Sequence, residues 1–386
     1  MIHAGVLFQL SIIGNLLVHC GGAFIRANHK PNKAGYNAVS LQAHGNADSG
    51  RTSVITGANG YIGREIVHSL IKDASEGDKV LCLVRQRRIK EEEEYWNSKE
   101  IHHVAVHVLP YNMLDGGKTL GDALECAVKG SNGTLCCVYH VASKFGPTEN
   151  HTETALDNVR GTEDVVKTMA KFPTCKLVLT SSMAAVRGAG QTPQNGKYYT
   201  YEDWNTLSKL GANWGQSYQW SKAESERRAW LLSNEMNVPM VSICPSFVFG
   251  PPSDNKITNS FSFALVGQWI RGESQVQSRL CVDVRDIAAA HVIAGRESLS
   301  GKRYLVSSEA RISSQAIAEL LSTVARDTGL GDPDLITCDT EFDGGVIKIG
   351  DKEVDCAERL RADLEGLTCR SVEETIAEMG RALLCA

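Results

Sequence analysis

Thr56-Gly57-Ala58-Asn59-Gly60-Tyr61-Ile62-Gly63 is the stretch whose reading decides the fold. The β-branched run Thr52-Ser53-Val54-Ile55 before it reads as a buried strand, and Ile66, Val67, Leu70 and Ile71 after it recur at helical spacing. Strand, glycine turn and helix follow without a gap, the context that a dinucleotide-binding fingerprint needs. Gly57 permits the tight turn, Gly60 lets the backbone approach a pyrophosphate, and Gly63 lets the helix pack closely on the strand. Tyr61 and Ile62 open the helix, whose free N–H groups and positive dipole end face the phosphates.

A second strand, Lys79 to Val84, ends at Arg85. An acidic residue there would hold the ribose 2′-hydroxyl of NAD; Arg85, followed by Arg87 and Arg88, suits the 2′-phosphate of NADP instead. Further apolar runs read as strands at Val104 to Leu109, Leu135 to Tyr139, Lys176 to Thr180 and Met240 to Cys244. Helical stretches around Leu120 to Val128 and Asn158 to Met169 separate them. Near-continuously apolar strands alternating with helices indicate an α/β fold, a doubly wound parallel sheet of the Rossmann type. The expected organisation is a leader over 1–50, a Rossmann core mainly over 51–250 and a smaller substrate-binding lobe mainly over 251–386.

With 42% hydrophobic and 22% charged residues in 386, the composition is that of an ordinary globular chain. A formal net charge of −5 gives no electrostatic case for nucleic acid. Of the 12 cysteines, Cys82, Cys136, Cys137 and Cys244 fall inside strand-like runs, and no CxxC pair or Cys/His cluster has zinc spacing, so no metal and a reduced compartment are expected. Residues 1–25 carry no Asp, Glu, Lys or Arg, and Val6 to Val18 is a fair signal-peptide core but too short for a membrane span. Phe24 to Ala47 is basic and free of acids, as in a transit peptide. This two-part leader resembles the presequences of algae with complex plastids, with Ala23-Phe24 as the signal cleavage junction. A plastid location is the expectation, with secretion, the endoplasmic reticulum or the cytoplasm as rivals and no stable membrane span in the mature protein.

Beyond the fifth strand comes Ser217-Tyr218-Gln219-Trp220-Ser221-Lys222, opening a helix. Tyr218 and Lys222 lie one helical turn apart on one face, where an ammonium can bring the phenol toward a working pKa. Ser182, at the carboxyl end of its strand, can supply a second hydrogen bond to a substrate oxygen.

With these motifs the chain resembles an extended short-chain dehydrogenase/reductase. The branch is that of dihydroflavonol reductase, cinnamoyl-CoA reductase and the yeast-type aldehyde and methylglyoxal reductases. The resemblance runs from Thr52 to about Leu384, through TGANGYIG at Thr56, VYHVAS at Val138, NVRGT at Asn158, LTSSMAAV at Leu179 and YQWSK at Tyr218. It continues with ICPSFVFGP at Ile243, VDVRDIAAAH at Val282, Asp203-Trp204-Asn205, and Glu226 with Trp230. It implies Ser182, Tyr218 and Lys222 as the catalytic set. It also implies NADP(H) contacts at Gly57, Gly60, Tyr61, Ile62, Gly63, Arg85, Met113, Val141, Ala142, Ser143 and Pro245, with Tyr218 and Lys222 shared. Asp283 and Asp286 match a segment read as structural. Three positions depart from the family: Asn112 replaces an aspartate near the adenine, Lys144 replaces a proline, and Ser181 beside Ser182 leaves the serine assignment open by one residue.

The expected activity is NADPH-dependent hydride transfer to a ketone or aldehyde of a small molecule. The alternatives are an NAD-dependent nucleotide-sugar epimerase or dehydratase and a non-catalytic NADP-binding protein. The expected assembly is a monomer or homodimer. Arg187, five residues beyond Ser182, has two readings: a guanidinium at the pocket rim selecting anionic substrates, or a solvated loop residue.

Overall fold

A computed structural model describes residues 50–129, 136–253, 260–296, 299–339 and 348–385. The chain divides between Asn46 and Ala47 into two units, and the described residues belong to the second. The leader lies outside the described residues, as does Asn132-Gly133-Thr134, one of two N-glycosylation sequons in the sequence, the other being Asn150-His151-Thr152.

Neighbours in the strands point to opposite sides of one sheet, as the two-residue period of a strand requires. Val54, Val138 and Leu177 stand in register and enter one core layer, and Ile55, Tyr139 and Val178 enter the other. Both faces are therefore buried, and this is why the strand sequences are continuously apolar.

The elements run in the order β1 (Thr52–Thr56), α1 (Tyr61–Asp73), β2 (Lys79–Val84), α2 (Ile89–Asn97), β3 (Ala105–Pro110), α3 (Lys118–Lys129), β4 (Cys136–His140), α4 (His151–Met169), β5 (Cys175–Thr180) and α5 (Met183–Val186). They continue as α6 (Trp214–Met236), β6 (Met240–Pro245), β7 (Phe247–Phe249), α7 (Phe261–Ile270), β8 (Cys281–Asp283), α8 (Val284–Arg296), β9 (Lys302–Val306), α9 (Ser314–Thr328), α10 (Ala357–Asp363) and α11 (Val372–Leu384). The seven-stranded sheet has the order β3-β2-β1-β4-β5-β6-β9 with every pair parallel. Helices α1 and α8 pack together on one face, while α3, α4 and α6 cover the other.

The six strands read from the sequence are present, and a seventh, β9, closes the sheet from inside the 251–386 stretch. With α8 against the same sheet, that stretch is shared between the Rossmann core and the smaller lobe. The lobe is built on the β7–β8 pair and on α7, α9 and α11, around Phe249, Phe263, Trp269, Ile317, Leu321 and Met379. Its segment joins the core through acids read as structural: Asp283 accepts from the Arg285 side chain and from Thr375 Oγ1 at 2.8 Å, and Asp286 pairs with Arg370. Among the described residues, no helix is long and apolar enough to cross a membrane, and no group of His, Cys, Asp or Glu is arranged to hold a metal.

Candidate active site

The site forms where β1, β4, β5 and β6 end, and its first fixture is Thr56. The Thr56 Oγ1 accepts N–H bonds from Val141 and Ala142, both at 3.2 Å, and lies 2.8 Å from His140 Nδ1. Two lone pairs are thus filled, so the hydroxyl proton goes to Nδ1 and the imidazole is protonated on Nε2. Burial, with Lys222 adding to it, pushes His140 down to about 3, so it stays neutral. The last residue of β1 therefore fixes the path of the segment Val141-Ala142-Ser143.

Ser182 leaves β5 in an extended conformation and caps α5, its Oγ accepting from Ala184 N at 3.1 Å. The same hydroxyl adjoins the Tyr218 phenol and favours its ionised form. Ser181 turns the other way, donating to Glu226 at 2.7 Å deep in the core. The pleat thus turns Ser182, and not Ser181, toward Tyr218. Asn213 caps α6 by accepting from Gln216 N, so the helix begins one turn earlier than the sequence suggested. Tyr218 and Lys222 consequently sit inside its regular part.

Lys222 is buried and its Nζ donates to Thr180 O at 3.2 Å. Burial lowers its pKa to about 8, against the pull of Cys244 and Glu226. The Tyr218 side chain is half-buried, and burial raises the phenol to about 12 although the neighbouring Ser182 works the other way. The expected lowering of Tyr218 by Lys222 is absent, since Nζ lies 6.0 Å from the ring centroid and burial outweighs it. Tyr218 is thus held as a protonated hydrogen-bond donor.

Two supporting groups were not among the residues read as catalytic. Asn158 on α4 accepts from Lys144 N at 2.8 Å and donates to Lys144 O at 2.9 Å, locking the segment after β4 against the helix. Glu226 on α6 accepts from Ser181 and Ser242 and from Arg303 Nε and Nη2 at 2.8 and 3.0 Å. Burial alone would raise this carboxyl, but Arg303 and the hydroxyl bonds hold it below the usual range. Arg303 also donates to Tyr201 O and Asp203 O and lies 3.9 Å from the Trp204 ring, fixing the Asp203-Trp204-Asn205 segment. The motif NVRGT signalled Asn158; Arg303 carried no signal, since charge inside a strand normally argues against burial.

The glycine turn has the shape that the fingerprint requires. Gly57 sits at φ +70°, and a Cβ there would meet Ala142 Cα at 3.0 Å. A Cβ on Gly63 would lie 2.2 Å from Gly57 O, so α1 packs directly on the turn. The Tyr61 hydroxyl donates to Gly250 O at 2.7 Å and its ring packs on Phe263, so only its backbone is left to serve the turn, while Ile62 packs into the core. Arg85 is exposed at the end of β2. Met113 lies against Gly161 of α4, and Pro245 ends β6 in register with Val306. Beside Lys222 is a small polar cavity lined by His140, Ser143, Asn158 and Lys222, where the buried Ser143 Oγ has no partner among the described residues. The glycine cradle, the exposed cation and the orphaned hydroxyl fit a phosphorylated dinucleotide.

Residues 53–307 match the model of the NAD-dependent epimerase/dehydratase family. The chain belongs to that family. It is 30% identical to a cinnamoyl-CoA reductase of Medicago truncatula over 263 residues, 67% of this chain and 76% of the relative. Against an NADPH-dependent methylglyoxal reductase of Saccharomyces cerevisiae the identity is 26%, covering 69% and 81%. The fold matches the NADPH complex of Gre2 from Candida albicans with a TM-score of 0.71 at 23% identity, over 87% of this chain and 99% of that one. Vestitone reductase from alfalfa matches with a TM-score of 0.62 at 21% identity, over 86% and 98%.

In this member of the epimerase/dehydratase family, aromatic side chains adjoin Tyr218. Phe145, half exposed, packs on Tyr218 at 4.5 Å between centroids, and Trp214 and Phe261 pack on Phe145. Arg187 takes neither of its expected places. Its guanidinium pairs with the buried Glu353 at 3.3 Å and lies 5.6 Å from the Tyr199 ring. A carboxylate 3% exposed needs a counter-charge more than water needs a loop arginine, so Arg187 is drawn inward.

Proposed function

We propose that the chain is an NADPH-dependent carbonyl reductase acting on an aldehyde or ketone of a small organic molecule. The observation that carries the reading is Tyr218, placed beside Ser182 and one helical turn from the buried Lys222. Gly57, Gly60 and Gly63 would hold the pyrophosphate, Arg85 the 2′-phosphate, and Val141 to Ser143, Lys222 and Pro245 the ribose and nicotinamide end. NADPH, when bound, supplies the hydride.

The chain's own residues then manage the oxygen. Ser182 and Tyr218 hydrogen-bond the carbonyl oxygen and polarise it, Tyr218 gives its proton as the oxygen gains charge, Ser182 favours the phenolate left behind, and the Lys222 ammonium would hold the cofactor ribose. A phenol raised to about 12 is a willing hydrogen-bond donor throughout the neutral range, which suits reduction. The aromatic wall of Phe145, Trp214 and Phe261 gives the substrate an apolar seat.

The test is Tyr218→Phe, followed by NADPH oxidation with a panel of aromatic aldehydes, 2-oxoaldehydes, acyl-CoA thioesters and flavanonols. The expected result is a loss of about 10²–10⁴ in turnover with NADPH binding retained, the range for a general acid. Full turnover by the variant would overturn the assignment.

A further inference from the structure

The geometry points to Arg279 as the residue that receives an anionic group, carboxylate or phosphate, carried by the substrate of this site. The inference rests on the reductase reading, in which Tyr218 marks the reacting end. From Tyr218 a series of ring contacts leads away: Phe145 at 4.5 Å, Phe261 at 5.1 Å from Phe145, and Phe247 at 6.2 Å from Phe261. The guanidinium of Arg279 lies 5.4 Å from the Phe247 ring and 5.6 Å from that of Trp269. A continuous aromatic surface thus begins at the proton donor and ends at a cation.

Among the described residues that cation lacks a counter-charge. Nη1 donates to Ser278 O and Nη2 to Gln277 Oε1, both at 2.9 Å and both neutral, while Nε is buried with no partner. Among the described residues no carboxylate pairs with it, and its charged neighbour has the same sign: Arg311 Nη1 reaches the same Ser278 carbonyl at 3.5 Å. Arg311 is matched by Glu353, at 3.1 Å from both Nε and Nη2, but Glu353 is also shared with Arg187. Two guanidiniums therefore share one carboxylate, and Arg279 adjoins the second of them across the Ser278 carbonyl. Arg187 ends the helix that Ser182 begins, so the cluster adjoins the catalytic loop.

Burial and Arg311 lower Arg279 only to about 10, and it remains a cation at neutral pH. A half-buried guanidinium beside a second one is unfavourable until an anion joins them, and its fork suits the two oxygens of a carboxylate or phosphate.

The experiment measures binding by tryptophan fluorescence with NADP⁺ present, so that no reduction occurs. The probes are 4-formylbenzoate, 4-formylphenyl phosphate and the neutral methyl 4-formylbenzoate. Unaltered protein is expected to bind at least one anion about tenfold or more tightly than the ester, the scale of a hydrogen bond to a charged group. Whichever anion is favoured tells carboxylate from phosphate. Arg279→Gln should bring that ratio below about twofold, and Arg279→Lys, which keeps stem and charge, should retain part of it. No preference in the unaltered protein, or a preference that survives Arg279→Gln, overturns the proposal. Should the Gln variant fail to fold, an undiminished ratio in Arg279→Lys overturns it and a reduced ratio supports it. Arg279-dependent anion binding without NADPH oxidation would remove the reductase reading and leave this site. Equal reduction of anion and ester would do the reverse.

Discussion

Residue identity at the site matters through protonation, and Lys222 is the group closest to changing its state. Its ammonium is lowered to about 8 by burial, whereas Tyr218 at about 12 stays protonated across the working range. Because kcat/KM reports the free enzyme, its pH profile in the reduction direction should be level below about pH 8 and fall as Lys222 loses its proton. A profile level to pH 10 would show that the lysine charge is not needed. The same scale shows what the sequence could tell. Tyr218 and Lys222 were legible because helical spacing fixes their mutual position. Ser182 was legible only to within one residue, because the direction in which a serine points at a strand end depends on what packs behind it. That partner is Glu226, 45 positions away, which takes Ser181 and leaves Ser182 for the site. Arg187 could not be placed for a related reason, since its partner Glu353 lies in a different part of the chain.

Elements are held around the site by that same Glu226. It lies on α6 and binds Ser181 after β5, Ser242 on β6 and Arg303 on β9, so one carboxylate ties a helix to three parts of the sheet. Strand β9 escaped the sequence reading because Lys302 and Arg303 make it look solvated, whereas it carries the cation that Glu226 needs. The remaining strands were legible because both faces of the sheet are buried and their runs are almost wholly apolar, with Lys79 and Lys176 only near the starts of β2 and β5. Glu226→Gln should cost about 3–5 kcal/mol at pH 7, since Arg303 is left buried without its counter-charge. The sign with pH follows from the direction of the shift. The folded value lies below the unfolded one, so the stabilisation is complete above about pH 4.3 and is lost as pH falls through the folded value. Urea melts of the two proteins should therefore draw together progressively as pH falls below about 4.3 toward the folded value. A gap that stays constant in acid would mean that packing, and not charge, makes the difference.

At the scale of the whole molecule, the open question is the compartment in which the chain matures, and the cysteines and sequons bear on it together. Ten cysteines are free thiols, and burial pushes Cys82, Cys137, Cys244 and Cys281 up, so core thiolates are not poised for exchange. Asn150, in the sequon Asn150-His151-Thr152, is exposed at the start of α4, where a glycan would meet no obstacle from burial. It therefore serves as a record of exposure to a glycosylating lumen. Passage that ends in a plastid behind the proposed two-part leader leaves the folded chain reduced and Asn150 bare. Permanent residence in the secretory lumen would attach a glycan there and favour oxidation of the exposed Cys126 and Cys385. The intact mass of the protein isolated from its own cells should match the unmodified polypeptide after loss of the leader, with every described cysteine open to alkylation under denaturing conditions. A hexose-bearing mass, or cysteines that alkylate only after reduction, would assign the protein to the lumen and remove the plastid reading.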